Sequence, residues 1–322
     1  MDPAGAGAGA GEDRLSALPV EVLVLILLRL DTAAAAGRTS VLSRCWRRTW
    51  ALLPVLRFPG NADPRLVASA LAAHEAPISY LHVGTLEAAP ESVDACFAAA
   101  AGRLAGRIIF QNQVSGGNAG EEETGAFDLP CLENATTVSL DLGFLGLAVP
   151  ATGVFARLTE LSLRRVRFGG SCELGDAVSL PRCPCLQKLS VISARGLANL
   201  VIHSESLLRL DLQVLRGLQH LTIVAQALEE LRVGSCFGLH GRPVANISTP
   251  QLLSLDWLDS YDPTSVQLGN LPQLQRLNGF LCVYALHDYG LNRGFLQLLE
   301  RFQAIQILHI TLLYLKVSSH PL

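Results

Sequence analysis

The residues that could carry out chemistry are few and scattered along the chain. Cys183 and Cys185 are separated by one residue and Cys172 precedes them, but no second cysteine or histidine pair completes a zinc ligand set. His203 and His220 fall in predicted strands, where solvated histidines are common. These residues therefore predict neither a zinc site nor a catalytic centre.

Two further patterns could hold a ligand. Asp256, Asp259 and Asp262 follow one another at three-residue spacing, which could form a metal loop, although a solvated bend after a strand is the commoner origin of such spacing. The glycine pair at 169–170 lacks the lysine of a phosphate-binding loop. We therefore expect no metal, no cofactor and no enzymatic activity.

The elements that position the surface residues are short strands with the pattern Leu-x-x-Leu-x-Leu. Copies start at residues 137, 158, 186, 207, 228, 252 and 274, at intervals of 21, 28, 21, 21, 24 and 22 residues. This spacing is typical of leucine-rich repeats. A second series, at 197–202 and 218–223, lies between main copies, so each unit would hold two strands. We predict a solenoid with short strands on its concave and convex faces and leucine between them.

Period-2 alternation turns the residues between the leucines outward on the concave sheet. The charged residues at these positions are Glu160, Arg164, Lys188, Arg209, Asp211, Glu230, Arg232, Asp256 and Arg276. Charges of both signs suit a protein or peptide ligand of matched charge, so these are candidate ligand-binding residues. For any single residue the alternative is an ordinary solvated sheet.

The first part of the chain, Arg14–Phe58, is a dense helical block. We expect a helix from Pro19 to about Leu30, a short alanine-rich turn ended by Gly37, and a helix from residue 38 or 39 to about residue 53. The first helix is apolar nearly all round, and a block of about 45 residues cannot cover every side of it. Part of it should therefore pack on the following domain or on another protein. With the repeats, this block gives an α+β chain.

Composition raises the question of a membrane protein, because 60 of the 322 residues are leucine and the mean hydropathy is +0.34. The longest clean apolar run, Val22–Leu28, is far shorter than the ~20 residues of a spanning helix. The acidic start of the chain does not fit a secretory signal. Since the net charge is -3, we expect neither a membrane nor nucleic acid as partner. Reduced cysteines in the cytoplasm or nucleus are the default.

The helical block resembles an F-box. The residues that carry the resemblance are Asp13-Arg14-Leu15-Ser16-x-Leu18-Pro19-x-Glu21-Val22-Leu23, Ile26-Leu27 and Leu30, followed by Arg38-Thr39-Ser40-Val41-Leu42-Ser43-Arg44-x-Trp46-Arg47 and Trp50. Segments 153–168 and 183–190 resemble repeats of the large plant family of F-box proteins with leucine-rich repeats. Val20 stands where the family often has aspartate, and Cys45 stands where a basic residue is common, but neither departure removes an apolar anchor.

This resemblance implies a non-catalytic substrate-recognition subunit of a Skp–cullin–F-box ubiquitin ligase. The F-box would bind a Skp-type adaptor, and through it a cullin, while the repeats bind an unknown protein substrate. The residues that match adaptor-contacting or core positions are Leu18, Pro19, Glu21, Val22, Ile26, Leu30, Val41, Leu42 and Trp46, and the sequence does not separate the two roles. The alternative is a repeat-based binding or scaffold protein without ubiquitylation output.

The resulting domain organisation has four parts. They are a disordered tail at 1–13, the F-box at 14–58, irregular first repeats with an acidic glycine-rich loop at 59–125, and the leucine-rich-repeat domain at 126–322. Because solenoids usually need a polar terminal cap, the apolar run Ile310–Val317 leads us to expect a chain shortened at its end. Lysine occurs only at 188 and 316. Two explanations are open, namely codon bias and selection against self-ubiquitylation.

Overall fold

The computed structural model describes residues 15, 18–114, 125–150, 152–169, 174–179, 181–237, 244–283, 290–302 and 305–314. The expected disordered tail and residues 115–124 of the acidic loop lie outside this part of the chain. Its helices are α1 (Val20–Leu27), α2 (Ala33–Arg38), α3 (Arg44–Trp50), α4 (Pro64–Ala72), α5 (Pro90–Ala101), α6 (Leu174–Ala177) and α7 (Gly290–Arg301).

Parallel strands form one long sheet along the concave side of the molecule. In spatial order they are β1 (Val55–Phe58), β2 (Ile78–Leu86), β3 (Leu104–Gln113), β5 (Thr137–Asp141), β7 (Glu160–Arg164), β9 (Lys188–Ile192), β11 (Arg209–Gln213), β13 (Glu230–Gly234), β15 (Ser254–Leu258), β17 (Arg276–Val283) and β18 (Ile307–Tyr314). The strands that follow the repeat pattern at 137–277 all lie in this sheet, so the predicted solenoid is confirmed. The copy predicted to start at residue 137 is offset by two residues, because β5 pairs Val138 with Leu161 and Leu140 with Leu163.

Two smaller parallel sheets lie on the opposite side. One contains β10 (Asn199–Ser204), β12 (His220–Ala225), β14 (Val244–Ser248) and β16 (Val266–Leu268), and the other contains β4 (Ala126–Asp128), β6 (Gly146–Ala148) and β8 (Arg167–Phe168). The interleaved leucine series at 197–202 and 218–223 therefore forms two of these strands, β10 and β12, as predicted. Leucines such as Leu163, Leu189, Leu212 and Leu221 are buried between the layers.

The units at 59–114 differ from the later repeats because they contain full helices. Helix α4 connects β1 to β2, and α5 connects β2 to β3, so the irregular first repeats expected here contain strand–helix units. Pro64 and Pro90 occupy the first turns of these helices, where the missing amide hydrogen costs nothing. Helix α7, which precedes the last strand, was also not expected from the sequence.

Within the helical block, α2 begins as predicted but the third helix does not. The Thr32 hydroxyl accepts a hydrogen bond from the Ala35 amide at 3.1 Å and caps α2. Gly37 lies inside α2 instead of ending it. The expected long third helix is divided into a 3-10 turn at Thr39–Val41 and α3, because the backbone of Ser43 is extended. Helix α1 ends at Leu27, three residues early.

The helical block and the first repeats are joined through buried contacts. The Trp50 indole donates to the Ala33 carbonyl at 3.1 Å, and its ring meets the His74 ring edge-on at 6.0 Å. His74 is buried, and its ring nitrogens lie 2.9 Å from the Leu53 carbonyl oxygen and 3.1 Å from that of Ala76. One hydrophobic core runs from α1 through the repeats to α7. The two parts therefore pack as one body.

Asp259 fixes the turn after β13 from the neighbouring repeat. Its buried carboxylate accepts a hydrogen bond from the Cys236 amide at 2.8 Å. Burial raises the pKa of Asp259 to about 6, although the amides of Cys236 and Phe237 oppose the shift. The prediction of a solvated bend is therefore wrong for Asp259, because its side chain is buried and holds the neighbouring turn.

We expect Gly106→Ala to destabilise the junction of β2 and β3. A Cβ at this position would lie 2.0 Å from the Ser79 carbonyl oxygen, so the strands would have to separate. The predicted loss is about 1–3 kcal/mol in the free energy of unfolding, measured by urea denaturation. Gly102→Ala is the matched control, since no atom lies within 4 Å of its added Cβ. Equal losses in the two variants would contradict this packing.

Asp259 should also make stability depend on pH. Because its folded pKa of about 6 exceeds the ordinary value of 3.8, its contribution is complete below about pH 4 and is lost as the pH rises through 6. We expect Asp259→Asn to remove this decline, worth up to about 3 kcal/mol, in unfolding curves at pH 4 to 7. Exposed Asp176→Asn should keep it. An unchanged pH slope in Asp259→Asn would refute the assignment.

Candidate binding surfaces

Helix α1 presents two different apolar faces. Leu23 and Leu27, one helical turn apart, are fully buried in the core of the helical block. On other sides of the helix, Val22, Leu25 and Ile26 are 37%, 62% and 38% exposed. The described part of the chain therefore covers only one side of this helix, in agreement with the expectation from its all-round apolar character.

A second exposed apolar segment follows α2. Val41 and Leu42 are 83% and 63% exposed at the end of the 3-10 turn. Together with Val22, Leu25 and Ile26 they form what we call the exposed apolar set. Single exposed apolar side chains are ordinary, but a group of them on neighbouring elements marks a surface that another protein covers. Helix α1 and the 3-10 turn are such neighbours, because both pack on α3.

The structure divides the predicted adaptor residues into core and surface. Trp46 is only 4% exposed and belongs to the core, so a direct contact by its side chain with an adaptor is not supported. Leu18 and Leu30 are half-buried against the same core. The remaining predicted residues are exposed, namely Pro19, Glu21, Val22, Ile26, Val41 and Leu42. Leu25 was missed, although it lies three residues after Val22 on the same helix.

All nine charged residues predicted for the concave face line one open groove of about 820 Å³. They are Glu160, Arg164, Lys188, Arg209, Asp211, Glu230, Arg232, Asp256 and Arg276. The parallel register places Glu160 beside Lys188, Lys188 beside Arg209 and Arg209 beside Glu230 on successive strands. The strand pairing thus brings residues from far apart in sequence to one surface.

The carboxylates of this groove are already engaged by the chain itself. Glu160 lies 3.8 Å from Arg107, Glu230 lies 3.3 Å from Arg209, and Asp256 lies 2.9 Å from Arg232. Asp211 accepts hydrogen bonds from the Gln213 amide group at 2.8 and 3.0 Å. By contrast, Arg164, Lys188 and Arg276 have no carboxylate partner among the described residues. The groove can bind through charge and hydrogen bonds.

The residues considered first for chemistry do not come together. His203 and His220 are exposed on β10 and β12, at different positions along the strands. Burial raises the pKa of the Cys183 thiol to about 11, whereas Cys185 is exposed and Cys172 lies outside the described residues. In the described part of the chain, no three histidine, cysteine or acidic side chains gather as a metal site.

The three aspartates at 256, 259 and 262 have separate roles. Asp256 forms an ion pair with Arg232, and Asp259 accepts a hydrogen bond from the Cys236 amide in the neighbouring turn. Asp262 accepts hydrogen bonds from the Thr264 amide and hydroxyl at 2.9 and 2.7 Å. Each carboxylate is therefore used by the fold. None of the described helices combines the length and hydropathy of a membrane span.

Comparison with known proteins agrees with this architecture. Residues 15–58 match the F-box domain, and residues 124–275 match the LRR repeats of the FBD-associated F-box protein At5g56370. The chain is 31% identical over 139 residues to the putative F-box/FBD/LRR-repeat protein At4g03220 of Arabidopsis thaliana. That match covers 42% of this chain and only 28% of the relative, and no solved structure matches the chain. The helical block is thus an F-box domain, and the strands that follow it are leucine-rich repeats similar to those of FBD-associated F-box proteins.

Proposed function

We propose that this protein is the substrate-recognition subunit of a Skp–cullin–F-box ubiquitin ligase. Its F-box would bind a Skp-type adaptor, and its repeats would bind a protein substrate. The observation that carries the proposal is the exposed apolar set of the F-box, Val22, Leu25, Ile26, Val41 and Leu42. We place this activity in the cytoplasm or nucleus, where thiols stay reduced.

Burial of these five side chains supplies a reason for complex formation. Covering one large aliphatic side chain fully is worth about 1.5–3 kcal/mol, so partial cover of several gives a usable contribution to affinity. The two leucines of the set, Leu25 and Leu42, are 62% and 63% exposed. Leu23, Leu27 and Trp46 are buried beneath and hold the helices in place. We therefore propose that the exposed apolar set contacts the adaptor, whereas the three buried side chains support the helices that carry it.

The proposed role requires positioning and no catalytic group in this chain. The Trp50 and His74 contacts and the continuous core fix the F-box to the repeats. A substrate in the concave groove would therefore be held at a defined place relative to the adaptor. Such placement raises the effective concentration of the substrate near a ubiquitin-conjugating enzyme bound to the cullin.

We expect Leu25→Glu together with Leu42→Glu to abolish co-purification with a Skp-type adaptor after co-expression. Each change places a charge in the proposed apolar interface, yet both positions are exposed, so the repeats should remain folded. Leu66→Glu, at a leucine 69% exposed on α4, is the matched control and should retain the adaptor. Undiminished adaptor recovery with the double variant would refute the proposed F-box surface.

A reconstituted ligase separates this proposal from a scaffold role. Proximity labelling of the full chain would first supply a bound partner, and that partner would then be incubated with the adaptor, cullin and ubiquitin-conjugating enzyme. Polyubiquitylation that requires Leu25 and Leu42 is the expected result. Adaptor binding without modification of any bound partner would favour the scaffold.

The scarcity of lysine gives a further prediction. With lysine only at 188 and 316, this chain offers few acceptors to the ligase it would recruit. We expect Arg65→Lys with Arg293→Lys, which adds two exposed amines, to increase self-ubiquitylation in the reconstituted reaction and to shorten the protein's half-life in cells. Unchanged self-ubiquitylation and half-life would assign the lysine content to codon bias.

A further inference from the structure

A cleft at the junction of the F-box and the first repeats is lined by three arginines. It is open, has a volume of about 540 Å³, and lies between α3 and the segment that follows α4. Arg44, Arg47 and Arg48 are three and four residues apart, so they project from one face of α3. We call this site the arginine cleft. It shares no lining residue with the concave groove.

The fold does not neutralise these arginines. All three are exposed, and none forms an ion pair, a side-chain hydrogen bond or a ring contact among the described residues. Glu75, the one carboxylate among the described residues that line the cleft, forms no ion pair with them. Like charges three and four residues apart on a helix repel. The cluster therefore suits an anion that another molecule supplies.

The helix dipole accounts for only part of this charge. Arg47 and Arg48 lie in the last turn of α3, where the dipole favours positive charge. Arg44 is the first residue of α3, at the end where the dipole opposes it. A role in stabilising α3 therefore does not explain why all three side chains are arginine.

Contacts between α3 and the first repeats hold the walls of the cleft. The Ala51 carbonyl, at the end of α3, accepts hydrogen bonds from the amides of Glu75 and Ala76 at 2.9 and 3.2 Å. Trp50 lines the cleft and is held by its hydrogen bond to the Ala33 carbonyl. The arginines therefore project from a fixed surface, and a ligand does not have to order the backbone that carries them.

The arginine cleft adjoins the exposed apolar set. Ser40 lines the cleft, and the next two residues, Val41 and Leu42, belong to the set. Arg44 follows Leu42 by two residues, and the 3-10 turn packs on α3. A protein that covers Leu42 therefore comes to lie beside Arg44. An apolar centre with a polar rim of complementary charge is the usual anatomy of a specific interface.

We propose that the Skp-type adaptor places acidic residues in the arginine cleft. This rests on the proposed function and deepens it, because it states the chemistry that the adaptor presents beside its apolar contact. Guanidinium groups pair with carboxylates through two parallel hydrogen bonds. A substrate in the concave groove is the less suitable source, since the two sites share no residue. Nucleic acid is disfavoured by the net charge of -3 and by the apolar surface next to the cleft.

The first test measures the affinity of the full chain for a purified Skp-type adaptor by biolayer interferometry, at low salt and at about 0.15 M salt. Arg44→Gln with Arg47→Gln and Arg48→Gln removes the charge and keeps most of the side-chain length. We expect this cleft variant to bind about tenfold more weakly at low salt, chiefly through slower association. Its affinity should also depend less on salt than that of the unchanged chain.

The matched control removes the same number of charges from exposed sites outside the cleft. It is Arg65→Gln with Arg216→Gln and Arg293→Gln, and it should retain the affinity of the unchanged chain. Equal affinity and equal salt dependence in the cleft variant and in this control would overturn the proposal.

A second test keeps the charge and locates the carboxylate. Arg47→Lys places a primary amine in the cleft, and a water-soluble carbodiimide joins such an amine to a neighbouring carboxylate as an amide, taking up the water as a urea. In the complex, mass spectrometry should find this amine linked to an aspartate or glutamate of the adaptor. The amine of Arg65→Lys should form no such link. Linkage of the cleft amine to Glu75 alone, or to no carboxylate of the adaptor, would contradict the proposal.

Failure of the arginine cleft is distinguishable from failure of the F-box assignment. If Leu25→Glu with Leu42→Glu abolishes adaptor binding while the cleft variant binds as its control does, only the cleft proposal is lost. If the leucine variant also retains the adaptor, the proposed function itself fails.

Discussion

The in-register stacking of parallel strands over buried leucines is the constraint on which the rest of this structure depends. Each repeat places one row of leucines between the concave and convex layers, and each row is covered only because the next turn continues in the same register. The same register fixes every residue between the leucines. Residues more than 100 positions apart, such as Glu160 and Arg276, therefore share one groove.

The F-box extends this core at one end and leaves part of itself outside it. Leu23 and Leu27 are buried, but a block with three short helices has too few residues to bury Leu25 and Leu42 as well. The contacts of His74 and Trp50 fix the block to the first repeats. A protein that covers the exposed apolar set would thereby also set the direction of the repeat groove.

The sequence predicted the elements that follow a repeated hydrophobic pattern, but not the local structure and burial that depend on tertiary contacts. The leucine spacing predicted strands on both faces, because period-2 burial leaves an unambiguous pattern. It did not predict that Ser43 divides the third helix or that Trp46 is buried, since both depend on packing inside the block. The buried position of Asp259 likewise depends on the turn at Cys236, from the repeat before.

Hydrogen–deuterium exchange of the full chain, alone and with a Skp-type adaptor, tests the central claim most directly. If the exposed apolar set is the adaptor surface, binding will slow exchange in α1 and in the turn from Thr39 to Leu42, while the concave strands exchange as before. Protection confined to the repeats, or none in these two F-box segments, would contradict the account.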